Sequence, residues 1–386
     1  MTTLACEGGR VLLDSMWVDG PIAIEGTRIA SVGHTVTDSC TRRIDATGCS
    51  IVPGFIDLQV NGAIGVDLTS EPTRVGEVAE YLVKCGVTSF MPTVISSSRA
   101  TAATALTAIS GWSHAGKRAA RSLGVHLEGP FLNPARAGAH PPHRLRPPSV
   151  DDARHWHSEH GVAMVTLAPE LPGALDVIGE LAGHGVTVCA GHTEAGDVEL
   201  AAAIRAGLRG VTHLFNAMTP MSARNPGPAG ATIADPALIA GLIVDGLHVD
   251  RAMVRLAWRA LGPSRIALVS DAVAALGMGF GPYRIGDTDV VVDETGVRTA
   301  QGVLAGSALR LDEAVRNLMA FTGCSLIDAS TSASATPARL AQRAELGRLV
   351  PGSAADLVLL DEAKTVVATV VDGCVVFDAQ QRCSAA

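Results

Sequence analysis

The stretch FIDLQVNG, residues 55–62, follows the turn VPG and runs from apolar residues into a polar end, Gln59 and Asn61. A short apolar strand closing on polar side chains is the unit from which the rim of a parallel barrel is built. The same unit recurs along the chain as VTSFMPT (87–93), LGVHLEG (123–129), VAMVTLAPE (162–170), VTVCAGH (186–192), GVTHLFN (210–216), LIAGLIVDG (238–246) and RIALVSD (265–271). Segments of helical period lie between them: RVGEVAEYLVKCG (74–86), ALDVIGELAGHG (174–185), DVELAAAIRAG (197–207) and DRAMVRLAWRALG (250–262). Each closes on glycine, as helices commonly do. Strand and helix alternating in this way read as an α/β protein, a (β/α)8 TIM-like barrel. An open doubly wound sheet is the competing pattern, but no GxGxxG fingerprint follows the first strand.

Both ends of the chain have a different texture. RVLLD, PIAIEG, RIASVG and RRIDA near the start, and ADLVLLD, VVATVVDG and CVVFD near the end, are short alternating strands punctuated by turns. They predict a small β-sandwich assembled from both termini, residues 1–52 with 345–386, around a barrel spanning 53–344. LAGSALRLDEAVRNLMAFTG (304–323) and SLIDASTSASATPARLAQ (325–342) are expected to supply late helices.

Composition narrows the function. With 47% hydrophobic, 18% charged and 3% aromatic residues in 386, the chain is a compact protein with an aliphatic core. A net charge of −8 argues against non-specific binding to nucleic acid or a membrane surface. An anionic substrate would need a locally positive pocket. The eight cysteines form no CxxC pair or dense framework, the pattern of free thiols in a reducing cytoplasm. No run reaches the roughly 20 consecutive apolar residues of a membrane span, and Cys6 in TLACEG lacks the basic and apolar segments of a lipoprotein leader. A cytoplasmic location is expected.

Read only at the strand ends, the polar residues are Gln59 and Asn61, Thr93, Glu128, Glu170, His192, His213, Asp245 with His248, and Asp271. In a barrel these converge on one rim. Glu128, His192 and His213 suit a borderline cation such as zinc, which takes nitrogen and oxygen ligands and keeps a position open in catalytic sites. Each also has a plainer reading, Glu128 as a salt-bridged carboxylate and the two imidazoles as hydrogen-bonded core residues. His126, two residues before Glu128 and on the same strand face, reads as a core or supporting residue. Its HLE context lacks the P-C-x-x-C partner of zinc deaminases. Asp271 reads as a proton acceptor at the rim or as a helix N-cap before AVAAL.

The segments PGFIDLQVNG (53–62), GVHLEGPFLNPARAGAH (124–140), VTLAPE (165–170), AGHTEA (190–195), THLFNAM (212–218), DGLHVD (245–250), LVSDAV (268–273) and GVLAGSAL (302–309) together resemble the N-acetylglucosamine-6-phosphate deacetylases, a family of the amidohydrolase superfamily. The resemblance runs in order through nearly the whole chain. It implies the same barrel and sandwich, one divalent metal per subunit (zinc first, with iron, cobalt or manganese open) on Glu128, His192 and His213, and Asp271 as acid and base. It implies His140 as a second donor to the oxyanion, and substrate contacts at Ala139, His140, Asn216, Ala217, Arg224, His248, Leu304, Ala305 and Gly306. It further implies a homodimer in which Arg224 reaches the neighbouring subunit's site to meet the substrate phosphate.

Many amidohydrolases carry H-x-H in the first strand and bind a second metal there. Gln59 and Asn61 match the subset with Q-x-N, which works with one, so the second site is expected to be empty or weakly filled. The activity implied is hydrolysis of the acetamido group of N-acetylglucosamine 6-phosphate to glucosamine 6-phosphate and acetate. Another amidohydrolase, acting on a different N-acyl sugar or a cyclic amide, and a non-catalytic scaffold on the same fold are the alternatives. A lysine in place of Glu128 would have favoured the cyclic-amide reading.

Overall fold

A computed structural model of the chain describes residues 3–34 and 40–385. Eight parallel strands form the central layer: β1 (Phe55–Val60), β2 (Val87–Ile95), β3 (Val125–Glu128), β4 (Val162–Leu167), β5 (Thr187–Ala190), β6 (Leu208–Val211), β7 (Ile239–Leu242) and β8 (Ile266–Leu268). Each pairs with the next in parallel register from β1 to β8. Nearly every strand residue is buried, because the barrel interior covers one face and the helices cover the other. That is why these strands read as continuous apolar runs and not as alternating ones.

The ring closes between β8 and β1 by side chains as much as by backbone. A parallel bridge joins Val60 to Ala272, and the Asn61 amide donates to the Ala272 carbonyl at 2.7 Å. Deeper in the ring, Asp57 Oδ1 accepts from the backbone N–H groups of Ser270 at 3.2 Å and Gln59 at 3.3 Å. Its other oxygen is buried without a partner. Burial pushes the Asp57 carboxyl up from 3.8 to about 6, against the pull of those hydrogen bonds. The folded protein therefore binds more protons than the unfolded chain between about pH 4 and pH 6, and stability from this group falls as pH rises through that window. Asp57→Asn removes the ionisation, so the variant's stability relative to the parent should improve by roughly 1–3 kcal/mol between pH 4 and pH 8. Denaturant unfolding at the two pH values measures this; a pH-independent difference would show that the Asp57 carboxyl titrates alike in the folded and unfolded chain and would overturn the raised value.

The helical segments form largely where their period lies, at Val75–Leu82, Ala174–Gly183, Asp197–Ala206 and Arg251–Leu261. Two stretches depart from expectation. The late helix runs Leu311–Thr322, so residues 304–310 are not helical. They are drawn to the rim, where Ser307 donates to the Asp271 carbonyl at 2.8 Å and bridges to Ala272. Before them, Gly281–Ile285, Thr288–Asp293 and Gly296–Thr299 make a three-stranded antiparallel sheet between β8 and its helix. Its inner side chains Ile285, Val290, Val292 and Val297 pack with Ile95, Val273, Ala275 and Ala305, roofing part of the barrel mouth.

The chain ends form two further sheets. Five strands, including Leu4–Glu7, Ile22–Glu25 and Arg42–Asp45, face six that include Arg10–Leu13, Ser50–Pro53, Leu357–Leu360 and Val366–Val371. Leu4, Ile22, Ile24 and Ile44 of the first sheet share a core with Val11, Ile51, Leu357, Leu359 and Val370 of the second, which is a sandwich built from both termini. The run SIVPGFIDLQ thus serves two layers. Ser50–Pro53 pairs with Leu357–Leu360 in the sandwich, and Phe55 opens the barrel. Gly54 between them faces Thr88 so closely that a Cβ would lie 2.2 Å from its hydroxyl oxygen, so only glycine turns this corner. No helix among the described residues is long and apolar enough to cross a membrane.

Candidate active site

The barrel mouth opens into a cavity of about 210 Å³. Its walls include Asn61, Glu128, Ala139, His140, His192, His213, Asn216, Ala217, His248, Asp271 and Leu304 to Gly306, so all but one of the residues nominated from sequence for catalysis, substrate or metal converge here. The exception is Arg224, which is exposed on the loop that leads to the helix Gly227–Ala234 and does not line the cavity. Ile95, Ile243, Val273, Ile285 and Val303 line it as well. As apolar residues they carried no sequence signal for a site. Among the described residues, none that lines the cavity is lysine or arginine.

Glu128 ends β3, while His192, His213 and Asp271 lie two or three residues beyond β5, β6 and β8. All four are buried. His192, His213 and Asp271 have φ of +50°, +32° and +50°, a left-handed conformation that side chains avoid. At that cost the chain turns sharply off each strand and aims the side chain over the mouth, as strained residues at functional sites commonly do. The rim loop comes down on Asp271 at Gly306, where φ is +62° and a Cβ would meet the Asp271 carbonyl at 2.9 Å and Val273 at 2.3 Å. Asp271 caps no helix, since bridge and turn structure follow it.

Three donor atoms form a tight triangle. Glu128 Oε1 lies 3.0 Å from His213 Nε2 and 3.3 Å from His192 Nε2, and the two nitrogens are 3.1 Å apart. Ligands at about 2.0–2.1 Å from a tetrahedral ion stand roughly 3.3–3.4 Å from one another, so this triangle fits one cation. His192 Nδ1–H donates to the Arg136 carbonyl at 2.8 Å, leaving the Nε2 lone pair free to face the triangle. His140 has the opposite tautomer. Its Nδ1 accepts the Ser96 backbone N–H at 3.3 Å, so Nε2 carries the proton, 3.7 Å from Glu128 Oε2. Glu128, His140 and His192 also lie close enough to hold an ion, but a protonated Nε2 makes His140 a hydrogen-bond donor and not a ligand.

The two amides of the first strand have specific partners. Gln59 Nε2 donates to Glu128 Oε1 at 3.0 Å, and Asn61 Nδ2 to Asp271 Oδ1 at 2.7 Å. Beneath them His126 is satisfied by the Leu58 carbonyl at 3.0 Å and the Thr166 hydroxyl at 2.8 Å, which fits a supporting residue. Thr93 accepts from Val60 within the β1–β2 pair. Glu170, read from sequence as a rim residue, turns away from the cavity. It accepts from Asn133 and from the Glu194 backbone at 2.8 and 2.7 Å, tying two loops together. On the far wall, Asp245 accepts from the backbone of Leu247 and His248 and from His248 Nδ1 at 2.6 Å, which fixes that imidazole at the cavity edge.

Ionisation is strongly perturbed here. Burial works against the Glu128 charge, but the His140, His192 and His213 imidazoles gathered around it outweigh burial and hold the carboxyl well below its usual range. Burial pushes His192 down to about 4, with His140 adding to the effect. His213 is also opposed by burial, yet its hydrogen bond to Glu128 leaves it raised. Asp271 departs from an ordinary aspartate. Burial, with the Glu128 charge behind it, raises its carboxyl to about 7.

The comparisons with known proteins agree with this geometry. The amidohydrolase family model matches residues 50–376. The N-acetylglucosamine-6-phosphate deacetylase of Bos taurus is 37% identical over 97% of this chain and 94% of its own length. The crystal structure of the Thermotoga maritima deacetylase superposes with a TM-score of 0.89 at 30% identity, covering 97% of this chain and 99% of that one. An aspartate-to-alanine mutant of the Mycobacterium smegmatis enzyme, in complex with N-acetyl-D-glucosamine-6-phosphate, gives 0.88 at 32% identity over 97% and 98% of the two chains. The carboxylate, paired histidines and rim aspartate at the mouth of this barrel therefore sit in a chain that belongs to the amidohydrolase family, among its N-acetylglucosamine-6-phosphate deacetylases.

Proposed function

We propose that the protein hydrolyses the acetamido group of N-acetylglucosamine 6-phosphate to glucosamine 6-phosphate and acetate, with a single divalent cation, zinc for preference, held by Glu128, His192 and His213. The observation that carries this reading is the triangle of donor atoms 3.0–3.3 Å apart at the mouth of a barrel whose relatives bear that name. When bound, such a cation polarises the amide carbonyl and acidifies water. Its positive charge would also draw Asp271 back towards the ionised form.

The chain's own groups divide the remaining work. Asp271, oriented by Asn61 Nδ2, accepts a proton from the attacking water and returns it to the departing amine nitrogen. His140, its Nε2–H fixed by the Ser96 amide, donates to the carbonyl oxygen as negative charge develops on it. Gln59 and Asn61 place neutral N–H donors against the two carboxylates, which supports one cation where H-x-H relatives take two. His248, buttressed by Asp245, is suited to hydrogen-bond the sugar phosphate.

A cavity with no lysine or arginine among the described residues that line it leaves that dianion short of cationic partners. The proposal therefore includes a homodimer in which the exposed Arg224 of one subunit reaches the partner's mouth, forming a charge-assisted pair with the phosphate. Arg224→Ala should raise KM for the phosphorylated sugar roughly 10- to 100-fold, corresponding to about 1.5–3 kcal/mol for a hydrogen bond to a charged group, and leave unphosphorylated N-acetylglucosamine unaffected. Equal effects on both substrates would remove Arg224 from the site. All eight cysteines are free thiols, which supports the cytoplasmic reading.

The direct test is acetate release from N-acetylglucosamine 6-phosphate, assayed before and after chelation. Turnover should vanish with the chelator and return on adding zinc. A chelated enzyme of full activity would overturn the cation assignment, and no acetate under any condition would overturn the substrate.

A further inference from the structure

A second group of metal-ligating side chains lies on the opposite face of the barrel. His157 precedes β4, and Glu180 and His184 sit one turn apart at the C-terminal end of the helix Ala174–Gly183, just before β5. One ligand atom from each of the three lies within 4.8 Å of the other two. We propose that this cluster is a second, peripheral cation site for a borderline divalent ion of the zinc, nickel or copper type.

Four observations carry it. The two segments are fastened together independently of the imidazoles, because Ser158 donates to the His184 carbonyl from both its backbone at 3.2 Å and its hydroxyl at 2.9 Å. The His157 and His184 rings stack with centroids 3.6 Å apart and planes within 8° of parallel, which holds the two imidazoles against each other. His184 Nε2 is already 3.2 Å from Glu180 Oε1. His157 Nε2, finally, is shielded from solvent and has no hydrogen-bond partner, a condition that a buried polar atom escapes by finding a ligand.

Two imidazoles and a carboxylate are the ligand classes that zinc favours, at spacings of about 3.3–3.6 Å on a tetrahedral ion. The half-exposed rings reach those spacings by splaying about their Cβ–Cγ bonds. An ion here would staple the loop before β4 to the helix before β5. Because the N-terminal face of such a barrel serves stability and not chemistry, binding should change resistance to unfolding and leave turnover alone.

The test uses the full-length protein carrying its one equivalent at the barrel mouth, titrated with Zn²⁺ by calorimetry and followed by thermal unfolding. A second equivalent should bind, and the unfolding midpoint should climb with Zn²⁺ concentration. His184→Gln and Glu180→Gln, both at accessible positions, should each weaken the second equivalent by at least about tenfold with acetate release unchanged. In a Glu128→Gln background the peripheral equivalent should persist, which separates this site from the mouth. Uptake of only one equivalent by the parent protein overturns the proposal. So does a second equivalent whose affinity survives the double variant His157→Gln/His184→Gln.

Discussion

Replacing Asp271 with asparagine should lower kcat for acetate release by roughly 10²–10⁴-fold, the span associated with loss of a positioned general base, while the protein stays folded and keeps its cation. The substitution is nearly isosteric. Asn61 can still donate to the remaining oxygen, as it does to Asp271 Oδ1 at 2.7 Å, and the Gly306 loop still packs over the same backbone. What disappears is the capacity to take a proton from water and return it to nitrogen. KM should change little, because the proposed sugar and phosphate contacts lie elsewhere on the rim. Steady-state kinetics beside a metal analysis of the same preparation separates the cases. A variant with most of its kcat would transfer the base role to another group, and a variant stripped of metal would make Asp271 a ligand.

Glu128→Gln should have an effect as large by a different route. Glu128 Oε1 is the common partner of His192, His213 and Gln59 at 3.3, 3.0 and 3.0 Å, and it supplies the negative charge of the proposed ligand set. A neutral amide keeps the shape and loses the charge. Because losing only a hydrogen-bond partner of a ligand costs roughly 10- to 100-fold in affinity, removing the charged ligand itself should cost more. Metal content after dialysis should fall from one equivalent towards zero, and activity should fall with it, recovering partly at high added zinc. A dialysed Glu128→Gln protein that still holds one equivalent would shift the ligand set to the histidines alone. The two variants thus separate proton transfer from cation binding: the first loses turnover with metal retained, the second loses both.

Local sequence determined a large part of this. Apolar runs closing on polar residues located the barrel strands, because a strand buried on both faces has no alternative to a continuous run of Val, Ile, Leu and Ala. The nature of the rim residues was fixed too, since the residue that ends a strand is set by the chain and not by packing; Glu128, His192, His213 and Asp271 were legible for that reason. The sandwich could be read from alternation at both ends, although not which strand faced which.

Only the tertiary structure decided the rest, because it depends on the register of strands that lie far apart in sequence. That Gln59 would meet Glu128 and Asn61 would meet Asp271, 69 and 210 residues away, follows from ring closure. The distinction between His192 and His140 came from one backbone carbonyl and one backbone amide that assign opposite tautomers, and side-chain identity carries no trace of either. Glu170 turned out to tie loops together because two loops arrive beside it. The helix expected from Leu304 starts at Leu311 because the preceding residues are held against Asp271. Asp271 itself is an ordinary aspartate in sequence. Burial and a neighbouring charge, which exist only once the barrel has closed, make it a carboxyl poised near neutrality.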